Sequence, residues 1–113
     1  MVKIKRVYDK VSPDDGKRIL VDRLWPRGIK KEDAIVDEWL NDIAPSTELR
    51  KWYSHDPAKW GEFKKRYNIE LKDKLGMVDR LRTESKKRTI TLLYSAKATK
   101  LNNAIALREF IEQ

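Results

Sequence analysis

Two short runs constrain this chain more than anything else in it: Ile19-Leu20-Val21, and the stretch "TITLLY" at 89–94. A strand with one buried face alternates apolar and polar residues, whereas a strand covered on both faces reads as a nearly continuous apolar run. Both runs are too short for helices and are followed by helical patterns. Strands that alternate with helices spell a small α/β fold with a short, mostly parallel sheet flanked by helices, in a three-layer-like arrangement. The chain has 113 residues, which suits one domain spanning 1–113.

The remaining elements follow from periodicity and punctuation. Val2 to Val7 alternates apolar and basic residues, as a half-buried strand at or near a sheet edge does. "SPDDG" is a turn, and Arg18 to Asp22 is the next strand. Lys30 to Asp33 makes a short helical turn. In the segment from Ile35 to Ile43, Val36, Trp39, Leu40 and Ile43 have helical spacing, with a strand as the alternative. Ser46 can cap a short helix through Tyr53. Asp56 before Pro57 is an N-cap and first-turn pair. From there Trp60, Phe63, Tyr67, Leu71, Leu75, Val78 and Leu81 recur at three and four, the pattern of one long helix that Gly76 bends or splits. The last helix is expected over Asn103 to Glu112. Trp39, Trp52 and Trp60 fall at apolar positions and are expected in the core.

Charge bounds the partners. Lys and Arg number 26 against 18 Asp and Glu, a formal net charge of +8. Such a field attracts anionic metabolites and, non-specifically, nucleic acid. The basic runs "KKRY" (64–67) and "ESKKR" (84–88) read more simply as solvated helix faces offset by Glu62, Glu70, Asp73 and Asp79. No nucleic-acid-binding signature accompanies them. The absence of cysteine, of a signal-peptide pattern and of a membrane-length apolar run places the protein in the cytoplasm, off the membrane. One histidine and no cysteine argue against a structural zinc site.

Chemistry is suggested where the buried strands stop. "VDRLWPRG" turns within one step from apolar residues to Asp22 and Arg23, with Arg27 and Gly28 close behind. Ligands of open α/β sheets sit beyond the carboxyl ends of the strands, and arginines there present forked donors to phosphate or carboxylate. The structural alternative has Asp22 bonded to an arginine and Trp25 plugging the core edge. The second strand runs into "SAKATKL" and a helix, a unit that aims backbone N–H groups and Lys97 at the same space if the two strands are parallel neighbours. His55 is the one candidate proton carrier, against the commoner reading of a histidine packed at a helix start. No serine lies in a nucleophile-elbow context.

"RVYD", "DGKRILVDRLWPRG", "IAPSTELRKWYSHDPAKWGEFKKRY" and "LLYSAK" followed by "NNA" together resemble the YeaO-like branch of domain of unknown function 488. The resemblance covers nearly the whole chain. It implies a small cytoplasmic α/β protein of a kind found in bacteria and archaea. It also implies a site between the strand ends "VDR" and "YSAK", and it brings Arg50 and His55 into play through "LRKWYSHDP". It shifts the weight toward a pocket for a small anionic or phosphorylated ligand. Arg23, Arg27, Arg50 and Lys97 would hold the anion, Asp22 would orient an arginine, and His55 would move a proton. A nucleic-acid-binding module and a protein-interaction module without catalysis are the alternatives. No cofactor and no oligomeric state is implied. The chain departs from the family pattern at Ala98 and Leu101, where relatives carry an acid and a histidine. If those two are catalytic, this copy only binds; if the acid merely caps the last helix, Thr99 takes its place.

Overall fold

A computed structural model describes all residues, 1–113. The strands are β1 (Val2–Arg6), β2 (Lys17–Leu20), β3 (Glu38–Trp39) and β4 (Ile90–Tyr94). The helices are α1 (Lys31–Ala34), α2 (Thr47–Tyr53), α3 (Trp60–Lys72), α4 (Leu75–Lys87) and α5 (Asn103–Ile111). The four-stranded sheet has the order β1-β4-β2-β3, and every pairing is parallel. The two apolar runs are therefore central neighbours, with Ile19 opposite Leu92 and Leu20 opposite Leu93. β1, with its alternating lysines, is an edge strand.

The alternation of side chains sorts the core. Val2, Ile19, Val21, Ile90, Leu92 and Tyr94 face α2 to α5 and form the main core with Phe63, Tyr67, Leu71, Val78, Leu81 and Leu107. Val7, Leu20 and Leu93 face the other way, onto Ala34, Trp25, Ile29 and Val36. That second face is covered by loops and the single turn of α1, so the expected third layer is not a layer of helices. A polar cluster completes it. Arg18, 2% exposed, donates to Asp15 at 2.6 Å and to the carbonyls of Ala34 and Ile35. Asp15 also accepts from Lys5 and from the Ser12 N–H. Burial pushes the Asp15 carboxyl up, but the bonds from Lys5, Ser12 and Arg18 outweigh it and hold the group below its ordinary range.

Four expectations need correction. The segment 35–43 is not a helix. Ile35 is left-handed (φ 50°) and ends α1. The Asp37 and Leu40 N–H groups then donate to the Arg18 and Leu20 carbonyls, which draws the segment into the sheet as β3. Its helix-like spacing comes from apolar residues shared between the two cores of an extended segment. The long helix breaks at Asp73-Lys74 rather than at Gly76. The break resets the phase, and Leu75 is 48% exposed instead of inward. Trp52 and Trp60 pack against the core as expected, but Trp39 is 38% exposed and lies edge-on to Trp25. α5 is capped by Asn102, whose side chain accepts from the Ile105 N–H, and not by Thr99. The caps at Ser46 and Asp56 are as expected. Ser46 also donates through its N–H and Oγ to Glu70, so that acid fastens α2 to α3 and does not offset surface lysines.

Candidate functional site

Parallel pairing brings the carboxyl ends of β1, β4 and β2 to one level. The ladder runs past the strands: the Val7 N–H donates to Tyr94 and the Val21 N–H to Leu93. One step further, Asp22 meets Ser95. Asp22 Oδ2 accepts from the Ser95 N–H at 2.9 Å and from Ser95 Oγ at 2.7 Å. Its Oδ1 accepts from Asn103 Nδ2 at 3.1 Å, which also donates to the Val21 carbonyl. The carboxylate therefore ties the end of β2 to the loop after β4 and to the first residue of α5. It does not orient an arginine, as the sequence suggested, because the register puts the Ser95 donors directly beside it.

The arginines find carbonyls instead. Arg23 donates to the Ala44 carbonyl at 3.0 Å and to that of Pro45 at 3.3 Å. Arg6 donates to the carbonyls of Ala96 at 2.9 Å and Ser95 at 3.1 Å, with its guanidinium 4.9 Å from the centre of the Tyr8 ring. A carbonyl satisfies N–H groups without cancelling charge, so both guanidinium groups keep their full positive charge at this end of the sheet. Lys97 stands exposed in the same loop as Ser95. Arg27 is exposed beside Gly28 (φ 76°), and its carbonyl accepts from the Tyr8 hydroxyl at 2.7 Å.

The other two candidates sit across the loop. Arg50 is exposed on α2, and His55 is exposed just past that helix in a left-handed conformation (φ 55°). No hydrogen bond or ion pair joins either to Asp22. Their nearest tie to the strand ends is Tyr53, which donates to the Leu101 carbonyl at 3.1 Å; the His55 ring lies 6.1 Å from the Tyr53 ring. Burial, helped by Asp56, pushes the Tyr53 phenol up, and burial with Asp9 does the same to Tyr94, so both remain neutral near pH 7. Ala98 and Leu101 contribute only carbonyls, to Asn102 and Tyr53. No cluster of three His, Cys, Asp or Glu side chains could hold a metal.

Sequence reasoning missed Arg6, Ser95 and Asn103. Each lies in a segment that the motifs contain, but only the parallel register shows that Ser95 and Asn103 meet at Asp22 and that Arg6 reaches the Ser95 and Ala96 carbonyls. The assembly offers positive charge and hydrogen-bond donors at the strand ends. Its one hydroxyl-to-carboxylate contact is Ser95 Oγ on Asp22, and His55 makes no hydrogen bond to either.

A small parallel α/β domain with a basic strand-end corner is thus the class of protein that the fold and the site define. The chain belongs to the family described as the inactive DUF488-N3 subclade, whose model matches residues 1–113. It is similar to the uncharacterised protein YeaO of Escherichia coli K12, at 47% identity over 110 residues, covering 97% of this chain and 96% of that protein. Uncharacterised proteins of Mycobacterium bovis and Mycobacterium tuberculosis are 40% identical over 110 residues, covering 97% of this chain and 92% of theirs. No solved structure matches the chain. No helix is long and apolar enough to cross a membrane.

Proposed function

We propose that this protein binds a small anionic, phosphorylated ligand at the carboxyl ends of β2 and β4 and does not transform it. The observation that carries the reading is the unneutralised charge of Arg6 and Arg23 on either side of the Asp22–Ser95 contact, with Lys97 in the adjoining loop. Arg27, exposed in the loop after β2, adds positive charge near this end, whereas Arg50, exposed on α2, has no contact with it. Three further points support binding without turnover. Asp22 is engaged by Ser95 and Asn103 and is not free to act as a base. The lone histidine, His55, has no carboxylate to orient it. Ala98 and Leu101, where the family resemblance implies an acid and a histidine, have side chains with no proton to exchange, in keeping with the description of the subclade as inactive. A cytoplasmic address suits such a ligand, since phosphorylated metabolites are held inside the cell.

Titration calorimetry with inorganic phosphate and with ribose 5-phosphate tests the reading. The double variant Arg23→Ala/Arg27→Ala should lose binding while its circular dichroism stays that of the parent. Unchanged affinity in a folded double variant would overturn the site. Mobility shifts with mixed DNA and RNA should show only weak binding that collapses with salt, as for any protein of this charge. Tight, sequence-selective binding would favour the nucleic-acid alternative instead.

A further inference from the structure

A cleft of about 180 Å³ lies along the edge strand β3, lined by Trp25, Lys31, Val36, Asp37, Glu38 and Trp39, and its Trp39 end meets the strand ends. Its walls are the two tryptophans, 5.6 Å apart between ring centres and crossed at 72°. Trp39 is 38% exposed, the most exposed of the tryptophans that the sequence led us to expect inside, and so is within reach of a flat partner. The cleft adjoins the basic corner directly, because Trp39 Nε1–H donates to the Asp22 carbonyl at 2.8 Å. Trp25 is held by its own bond to the Ile29 carbonyl, so the walls are fixed before anything enters.

The charges in the cleft give it a direction. Glu38 is neutralised by Lys17 and Arg80. One Asp37 oxygen accepts from the Arg18 N–H, and the other is free to accept from a ring amine or ring N–H. Lys31 stands 6.0 Å from the centre of the Trp25 ring. The Asp37 carboxylate that lines the cleft repels a phosphate, whereas Arg6, Arg23 and Lys97 at the strand ends attract one. A ligand lying across both would therefore put its amine-bearing ring in the cleft and its phosphate on the basic corner.

We infer that the Trp25–Trp39 cleft is a ring-binding subsite and that the ligand is a nucleotide-like phosphate ester carrying a flat heteroaromatic base. The inference rests on the anion-binding reading for the other half of the ligand. The test uses adenosine 5′-monophosphate, ribose 5-phosphate and adenosine, followed by calorimetry and by quenching of tryptophan fluorescence. Stacking of a base on an aromatic side chain should make the monophosphate bind about tenfold tighter than ribose 5-phosphate. Trp39→Leu should abolish that advantage while leaving ribose 5-phosphate affinity at the parent value, which also reports that the variant is folded. Equal affinity of the parent for the monophosphate and ribose 5-phosphate would overturn the ring subsite and leave the anion site standing. An advantage that survives Trp39→Leu would overturn it too. Adenosine binding as tightly as the monophosphate, with loss on Trp39→Leu, would uphold the cleft and overturn the anion reading. A dimer in sedimentation that dissociates on Trp39→Leu would show that a second copy covers the tryptophans, and would overturn the subsite.

Discussion

Replacing Asp22 by alanine removes, in one step, the acceptor of three hydrogen bonds: from the Ser95 N–H, Ser95 Oγ and Asn103 Nδ2, at 2.9, 2.7 and 3.1 Å. A bond to a charged acceptor contributes about 1.5–3 kcal/mol when its surroundings are dry. Asp22 is only half-buried, so water replaces part of each loss, and about 1 kcal/mol per bond is the fitting figure. The variant should therefore lose about 3 kcal/mol, a large part of a domain's total of about 5–15 kcal/mol. Asp22→Asn should cost about 1 kcal/mol, because an amide oxygen still accepts from Ser95 and only the Asn103 bond meets a second donor. Urea unfolding followed by circular dichroism reads both values. A loss below about 1 kcal/mol for the alanine variant, or equal losses for the two, would refute the latch. Phosphate binding adds a second discrimination. If Asp22 acts only as a charge near the anion, its removal tightens binding. If it holds the loop that presents Ser95 and Lys97, its removal weakens binding several-fold, which is the expected result.

Asp15→Asn should destabilise by about 3 kcal/mol, since it leaves the buried Arg18 without its carboxylate; adding Arg18→Met should recover much of that in the same urea assay. Stability should fall as the solution is acidified below the ordinary values of 3.8 for Asp15 and 4.5 for Glu38, because both carboxyls are held below those values in the folded protein. For Glu38 the main cause is Arg80. Lys17 behaves in the opposite sense: its bond to Glu84 raises it above 10.5, so its contribution is intact below that pH and is lost as pH rises through the folded value. A urea midpoint that stays flat across both windows would contradict these assignments. Asp56→Ala should cost about 1 kcal/mol by removing the cap on the Ala58 N–H. Unchanged stability would mean that this cap contributes nothing to the helix start that positions His55.

The parallel sheet was legible because burial on both faces leaves a mark in the sequence: Ile19-Leu20-Val21 is wholly apolar and Ile90 to Tyr94 nearly so, its Thr91 being buried with its hydroxyl bonded to the Asp15 carbonyl. The caps at Ser46 and Asp56 were legible because a side-chain oxygen before a helix acts locally. β3 was legible only as the alternative to a helix, because it is drawn into the sheet by bonds from the flanking Asp37 and Leu40 to Arg18 and Leu20, which lie far away in the chain. The helix break at Asp73-Lys74 was not legible because neither residue is a helix breaker, and the turn is closed by backbone bonds from Asp73 to Glu70 and from Lys74 to Leu71. The meeting of Asp22 with Ser95 followed from the parallel pairing and was anticipated as a meeting of strand ends. Its chemistry was not, since which donor meets a carboxylate depends on register to within one residue.

Arg6, Arg18 and Arg23 show why the candidate site had to be read from contacts and not from residue types. Arg18 points to the loop-covered face, opposite to Ile19, and reaches Asp15 three residues before it, so its charge is cancelled inside the protein. Arg6 shares the helix-covered face with Val2 and Ile4 but lies at the strand end, where it turns onto the Ser95 and Ala96 carbonyls. Arg23 lies past the end of β2 and does the same with Ala44 and Pro45. A carbonyl fixes a guanidinium in place and leaves remaining N–H groups and the whole charge available, whereas a carboxylate uses both. Asp22 accepts from neutral donors on Ser95 and Asn103 and keeps its own negative charge, and Asp9 stands near Tyr94 at the same end. Arg6, Arg23 and Lys97 thus outnumber Asp22 and Asp9 at this end of the sheet, and the anion we propose would offset that excess.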